Sequence, residues 1–176
     1  KEGLGGLEAL RIFTDVLAPA CISVDHPRFF SFVPAAPTEA ATLFDLVVGA
    51  SSICGTSWLE AAGAVLAEND ALRWLSDLAG FPAGAGGVFV SGGTAGNLSE
   101  LITARSQWRQ DQTTTTRGLI ITSEGAHSSV AQAAFVMDAD ITTVPCDGRM
   151  LGSELRRAID ELTPEDRSRD FAVVAT

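Results

Sequence analysis

Short apolar runs alternate with apolar residues at helical spacing along most of the chain. Each apolar run predicts a buried strand of a parallel sheet, and the runs lie at residues 88–90, 119–122, 141–144 and 171–175. The helical spacing predicts helices over residues 4–17, 38–49, 59–79, 94–108, 127–137 and 151–162. Strands that alternate with helices in this way are typical of an α/β fold, with a mostly parallel sheet and helices on both faces. A polar run over residues 110–116 predicts a surface loop.

The predicted helices carry recognisable end signals. Thr38 is expected to cap the helix over 38–49, and Gly80 is expected to end the helix over 59–79. The apolar face of that long helix, which we expect to point inward, consists of Val65, Leu66, Leu72, Leu75 and Leu78.

Residues 88–98 join the first predicted strand to a helix through two glycines. Gly92 and Gly93 carry no Cβ, so the backbone can turn sharply there and approach a ligand closely. Thr94 stands where a helix N-cap would stand. Free N–H groups and the positive end of a helix dipole would suit a phosphate. A tight turn that binds nothing explains the glycines equally well, and the segment is not a P-loop, because no Gly-Lys-Ser/Thr follows.

Three segments are expected to meet at the carboxyl edge of the sheet, where such folds bind ligands: residues 91–94, residues 122–127 and Thr176. His127 lies in the second of them, at the start of a predicted helix. Its neutral ring would offer a flat surface for stacking on an aromatic cofactor. A surface or hydrogen-bonded histidine without such a role is the alternative.

Composition narrows the class of protein. The chain has 176 residues, of which 46% are hydrophobic, and a formal net charge of -10. This excess of acidic groups disfavours nucleic acids and anionic membranes as partners. Cys21, Cys54 and Cys146 form neither a metal pattern nor a disulfide framework, and no membrane span or secretory signal is visible. We therefore expect a cytoplasmic protein without a metal site.

Three motifs together resemble the group II pyridoxal-phosphate-dependent amino-acid decarboxylases, which include the aromatic amino-acid, tyrosine, histidine and glutamate decarboxylases. They are His-Pro-Arg-Phe-Phe at 26–30, Ser-Gly-Gly-Thr-Ala-Gly-Asn-Leu at 91–98 and Ala-His-Ser-Ser-Val at 126–130. The resemblance runs from about residue 26 to residue 176. It implies the aspartate-aminotransferase-like fold, called fold type I, and a homodimer that shares its active sites. The implied reaction of amino-acid metabolism is decarboxylation of an L-amino acid to the amine and CO₂, with pyridoxal 5'-phosphate as cofactor.

The resemblance also implies roles for single residues near the cofactor. Gly93 and Thr94 correspond to phosphate contacts, and His127 to the catalytic imidazole that stacks on the pyridine ring. Thr176 corresponds to the threonine near the phenolic oxygen of the cofactor.

Further positions correspond to the substrate pocket, and they lie at Phe32, Val33, Pro34, Ala35, Cys54 and Thr56. The first four resemble a pocket wall, and the last two resemble a loop that enters the active site of the other subunit. From the residues alone, the proline-rich segment at 26–37 fits a clamped linker equally well. The resemblance implies that residues 1–58 comprise N-terminal helices and an irregular segment. Residues 59–176 would form the N-terminal part of the large, cofactor-binding domain, which is incomplete at its C-terminus.

The sequence departs from the family pattern at several points. Ala35 stands where members that act on aromatic amino acids tend to have a hydroxyl residue, and Thr56 stands where some members carry phenylalanine. These two positions therefore do not identify the substrate. The cofactor lysine of the family and the aspartate that pairs with the pyridine nitrogen have no counterpart here. Lys1 is the only lysine and precedes the similar region.

Three alternatives therefore stay open. The first is another fold-type-I lyase, acting on carbon–sulfur or carbon–carbon bonds, although residues 26–34 favour a decarboxylase. The second is a non-catalytic fragment or interaction protein. The third is a nucleotide-binding Rossmann domain, which the lack of a G-x-G-x-x-G motif disfavours.

We predict that a polypeptide of only these 176 residues has no decarboxylase activity, because it lacks the lysine that holds the cofactor covalently. The measurement is CO₂ release from L-amino acids in the presence of pyridoxal phosphate. Release above the rate of free cofactor would contradict the prediction.

Overall fold

The computed structural model describes residues 2–112 and 116–176. These residues form two compact units that divide between Ala83 and Gly84. The boundary expected from the sequence, after residue 58, coincides with the start of a long helix inside the first unit. Each unit is described by itself.

The first unit is helical in its regular parts. Helix α1 spans Gly6–Ile12 and continues into a π-helical turn at Phe13–Leu17 and a 3₁₀ turn at Ala18–Ala20. Helix α2 spans Glu39–Ser51, and helix α3 spans Trp58–Ala79.

The expected end signals of α2 and α3 are present. The Oγ1 atom of Thr38 accepts a hydrogen bond from the N–H of Ala41 at 3.2 Å and so caps α2. Gly80 ends α3 with a φ of 75°, in the left-handed region that favours glycine.

The inward burial expected for α3 is wrong within this unit. Leu66 is 54% exposed, Leu75 41% and Leu78 72%, whereas Val65 and Leu72 are half-buried. Among the described residues of the first unit, only Ala61 is buried. An apolar helix face is buried only where another element packs on it, and helical spacing does not reveal whether the same unit supplies that element.

The second unit is built on a three-stranded parallel sheet. Strands β1 (Leu119–Ser123), β2 (Asp140–Val144) and β3 (Asp170–Val174) lie in the order β2-β1-β3. Central strand β1 is buried along its whole length.

Four helices accompany the sheet, and they are α4 (Gly93–Gln110), α5 (Ser128–Val136), α6 (Gly152–Glu161) and α7 (Pro164–Arg169). The buried core joins Ile120 of β1 to Leu101 of α4 and to Val130, Ala133 and Ala134 of α5. Helices α4 and α5 therefore form the core of this unit together with β1.

Several elements differ from the expectations. Residues 88–90 form no strand, and the side chains of Val88, Phe89 and Val90 are 66%, 56% and 43% exposed. A strand needs a neighbouring strand to pair with, and the described sheet offers none at this position. Helix α7 was not expected, because its six residues are too few to show a helical period. Of the expected loop over 110–116, residues 113–115 lie outside the described residues.

Ion pairs hold the amino edge of the sheet together. The guanidinium of Arg169 contacts the carboxylates of Asp140 and Asp166, and that of Arg117 lies 3.3 Å from Asp140. The hydrogen bonds from Arg169 to Asp140 and Asp166 raise the pKa of the guanidinium above its ordinary value. The segments that start all three strands are thereby tied to one another.

We predict that Gly118→Ala lowers the free energy of unfolding by about 1–3 kcal/mol, because the site is overpacked by a methyl group. A Cβ at Gly118 would lie 2.6 Å from Cδ1 of Phe171 and 3.3 Å from Cζ3 of Trp108. Gly152→Ala is the matched control, since a Cβ there meets nothing within 4 Å. Urea unfolding of both variants is the measurement, and equal midpoints would contradict the prediction.

We predict that Asp170→Asn raises the thermal midpoint by a few degrees at neutral pH. Asp170 is half-buried, its Oδ1 has no hydrogen-bond partner among the described residues, and burial raises the pKa of its carboxyl group. Because the pKa of Asp170 is higher in the folded than in the unfolded protein, its carboxyl group contributes stability at pH values below the unfolded-state pKa. This contribution is lost as the pH rises through the folded-state pKa.

The rise in thermal midpoint caused by Asp170→Asn should therefore shrink as the pH falls toward about 4. The exposed Asp147 serves as a control through Asp147→Asn. A difference that does not depend on pH would contradict this account.

Candidate cofactor site

The start of helix α4 has features that suit an anion. Gly92 is the N-cap residue, Gly93 begins the helix, and Thr94 is its second residue rather than the expected N-cap. A Cβ at either glycine would meet nothing within 4 Å, so the space in front of the helix is free. The first N–H groups of a helix have no partner within it, and the first two residues of this helix start carry no side chain that could cover them. An anion of the size of a phosphate fits these features.

His127 begins the neighbouring helix, as its sequence position indicated. It is the N-cap residue of α5, and its Nδ1 accepts a hydrogen bond from the backbone N–H of Ser129 at 3.2 Å. The hydroxyl of Ser129 lies 2.8 Å from the same nitrogen. The ring is exposed, so its faces are accessible to a ligand.

A hydrogen bond between side chains joins the starts of the two helices. Nδ2 of Asn97 on α4 donates to Oγ of Ser129 on α5 at 2.8 Å. Thr94 and Ser129 also line one shallow cavity between these helices. The structure thus places the starts of α4 and α5 side by side.

Thr176 lies at the same edge of the sheet, beyond the end of β3. Its Oγ1 forms a short hydrogen bond with Oγ of Ser123, the last residue of β1. Its carbonyl oxygen accepts a hydrogen bond from the N–H of Met150 at 3.1 Å. A Cβ at Gly125 would lie 3.7 Å from Oγ1 of Thr176, which shows how closely the loop before His127 passes.

The expected substrate-pocket residues belong to the first unit. Phe32 has a φ of 64° and is 85% exposed, and its ring lies 6.5 Å from that of Phe29. Val33, Pro34 and Ala35 are exposed as well. The assignment of these four residues to a pocket stays a prediction.

Cys54 and Thr56 form a local contact in the same unit. Their side chains lie 3.2 Å apart, and hydrogen bonds from Thr56 hold the pKa of the Cys54 thiol below its ordinary value. Their assignment to a loop that reaches another subunit also stays a prediction.

Sequence reasoning missed Asn97, Ser123 and Ser129 as parts of the site. Asn97 and Ser129 lie inside the motifs that carried the resemblance, but a motif does not show which side chains meet in space. The nearest local signal is the histidine followed two residues later by serine at a helix start, which permits an N-cap hydrogen bond.

In residues 2–112 and 116–176, no three His, Cys, Asp or Glu side chains come together in a group that could hold a metal ion. No helix of this described part is long and apolar enough to cross a membrane.

A parallel sheet with two helix starts at its carboxyl edge, one suited to an anion and one carrying an exposed imidazole, is typical of α/β proteins that bind ligands at this edge. The family model of the pyridoxal-dependent decarboxylase conserved domain matches residues 8–176. The chain belongs to the pyridoxal-dependent decarboxylase family.

Curated relatives agree with this assignment. An L-2,4-diaminobutyrate decarboxylase from Rhizobium meliloti is 32% identical over 158 residues, which cover 87% of this chain and 31% of the relative. The aromatic-L-amino-acid decarboxylase from Bacillus atrophaeus is 39% identical over 82 residues, covering 47% of this chain and 17% of that protein. The rat aromatic-L-amino-acid decarboxylase is 28% identical over 173 residues, which cover 87% of this chain and 36% of the rat protein. The chain thus spans about a third or less of the length of these three relatives.

Solved structures confirm the fold. TDC from Oryza sativa, crystallised with PLP and tryptamine, superposes with a TM-score of 0.82 and 21% identity, covering 98% of this chain and 41% of that chain. Mouse CSAD in apo form gives a TM-score of 0.83 and 23% identity, with 98% and 38% covered. The expected fold type I is therefore confirmed.

Proposed function

We propose that these residues form part of the pyridoxal 5'-phosphate site of an enzyme that decarboxylates an L-amino acid to its amine and CO₂. The observation that carries the proposal is the placement of the open start of α4 beside His127, with Thr176 at the same edge. The family of the chain supports the choice of this cofactor over other phosphorylated aromatic groups.

The start of α4 holds the phosphate in this proposal. The backbone N–H groups of Gly93 and Thr94 donate to the phosphate oxygens, and the hydroxyl of Thr94 adds a third donor. The positive end of the helix dipole favours the anion further. Since α4 also packs into the core through Leu101, the phosphate is anchored to a rigid element.

His127 and Thr176 orient the cofactor ring. The imidazole of His127 stacks on the pyridine ring and excludes water from one face. The hydroxyl of Thr176, which is hydrogen-bonded to Ser123, would be the group near the phenolic oxygen of the bound cofactor. Pyridoxal phosphate supplies an aromatic ring that takes up the electron pair left behind when CO₂ departs.

A wall of the substrate pocket and a loop in contact with a second subunit belong to the same proposal. Phe32, Val33, Pro34 and Ala35 form a pocket wall, and the loop with Cys54 and Thr56 approaches the site of a second subunit. Relatives act, by their names, on aromatic L-amino acids and on L-2,4-diaminobutyrate, so both are candidate substrates.

A homodimer in the cytoplasm completes the proposal. The exposed apolar faces of the first unit, such as Leu7 at 87% and Leu78 at 72% exposure, support a role in subunit contact. The three cysteines are free, as expected for a reducing compartment.

We predict that Thr94→Ala weakens pyridoxal phosphate binding by the intact protein about tenfold, because one hydrogen bond to a charged group is lost. Thr103→Ala is the matched control, since Thr103 is an exposed threonine on the same helix whose hydroxyl donates to the carbonyl of Ser99. The dissociation constant is measured by absorbance titration of the apoprotein.

CO₂ release from each candidate amino acid then tests the reaction itself. Equal affinities of the two variants would overturn the phosphate assignment. Binding without any CO₂ release from L-amino acids would overturn the decarboxylase assignment.

A further inference from the structure

Asn97, Ser129 and His127 form a continuous chain of hydrogen bonds between α4 and α5. Asn97 Nδ2 lies 2.8 Å from Ser129 Oγ, and Ser129 Oγ lies 2.8 Å from His127 Nδ1. Ser129 is 1% exposed, whereas the ring of His127 is exposed. These hydrogen bonds therefore connect the interior of the second unit to the open edge of the sheet.

The side chains alone permit two directions for these bonds. In one, the amide N–H of Asn97 donates to the Ser129 hydroxyl, which donates to Nδ1 of His127. In the other, the amide is flipped, Nδ1 carries a proton and donates to the hydroxyl, and the hydroxyl donates to the amide oxygen. Amide orientation, hydroxyl direction and histidine tautomer are coupled in this way in any such chain.

The backbone N–H of Ser129 decides between the two. It points at Nδ1 of His127 from 3.2 Å, and a backbone N–H can only donate. Nδ1 must therefore be an acceptor, and the proton of the neutral ring lies on Nε2. Only the first direction satisfies all three contacts.

We propose that Asn97 and Ser129 are positioning residues that hold His127 in one ring orientation and in the neutral tautomer protonated on Nε2. The significance of this for catalysis rests on the proposed function, since a stacked ring must keep its plane while the cofactor reacts. With the Nδ1 side anchored by two donors, the ring presents its face and its Nε2–H at the site. Asn97 acts through Ser129 and need not touch the cofactor.

Adjacent serines allow a matched test of this proposal. Ser129→Ala removes the hydroxyl donor to Nδ1, whereas Ser128→Ala makes the same change at an exposed neighbour. The intact protein is labelled with ¹⁵N in its histidine rings, and the tautomer is read by NMR at a pH where the rings are neutral. The signals of His127 are identified by their loss in His127→Gln.

We expect the unsubstituted protein and Ser128→Ala to show His127 protonated on Nε2. In Ser129→Ala the fraction protonated on Nδ1 should rise about fivefold, which corresponds to the loss of one hydrogen bond. Asn97→Asp should shift it in the same direction, because a carboxylate accepts from the Ser129 hydroxyl and turns it away from Nδ1. His26 is an internal standard, since its Nδ1 accepts from the backbone of Arg28 at 3.1 Å, in the first unit.

Two results would overturn the proposal: a proton on Nδ1 in the unsubstituted protein, or the same tautomer ratio in Ser129→Ala and Ser128→Ala. If Ser129→Ala does not fold, Asn97→Asp provides the comparison. Because the tautomer is read without cofactor, a failure of pyridoxal phosphate to bind would count against the proposed function only. Circular dichroism of bound cofactor should weaken in Ser129→Ala and not in Ser128→Ala.

Discussion

The parallel pairing of β1 with both of its neighbours is the constraint on which the second unit depends. Ile120 lies opposite Ile141 of β2 and opposite Ala172 of β3, so all three strands end at one edge. Strand β1 is buried along its whole length, and the chain leaves the sheet after Ser123. The loop to His127 and the contact with Thr176 are direct consequences of this arrangement.

A second constraint acts between the helices. Asn97 and Ser129 form a polar contact beside an apolar core that contains Leu101 and Val130. A buried hydrogen bond fixes the relative position of two helices more strictly than apolar packing, because its loss leaves two polar groups unsatisfied. The hydrogen bond between Asn97 and Ser129 therefore restrains the relative position of the starts of α4 and α5.

The sequence allowed the parallel sheet and most helices to be predicted, because apolar periodicity and end signals mark an element whether or not its apolar face is buried. Strands β1, β2 and β3 and helices α2, α3 and α5 begin and end within two residues of expectation, although every residue of α2 is exposed. The strand at residues 88–90 failed, since an apolar run shows burial potential but not the presence of a pairing strand. His127, Gly93 and Thr94 were found by position, whereas the contacts of Asn97 and Ser129 depend on how α4 meets α5.

The two edges of the sheet differ in the kind of interaction that stabilises them. Ion pairs among Arg117, Asp140 and Arg169 tie the strands at the amino edge, where no ligand is expected. At the carboxyl edge, hydroxyl groups and backbone N–H groups hold His127 and Thr176. Neutral contacts can orient an imidazole without placing a carboxylate beside a bound phosphate, which it would repel. The ion pairs thus lie at the edge of the sheet away from the start of α4, whose dipole would favour an anion.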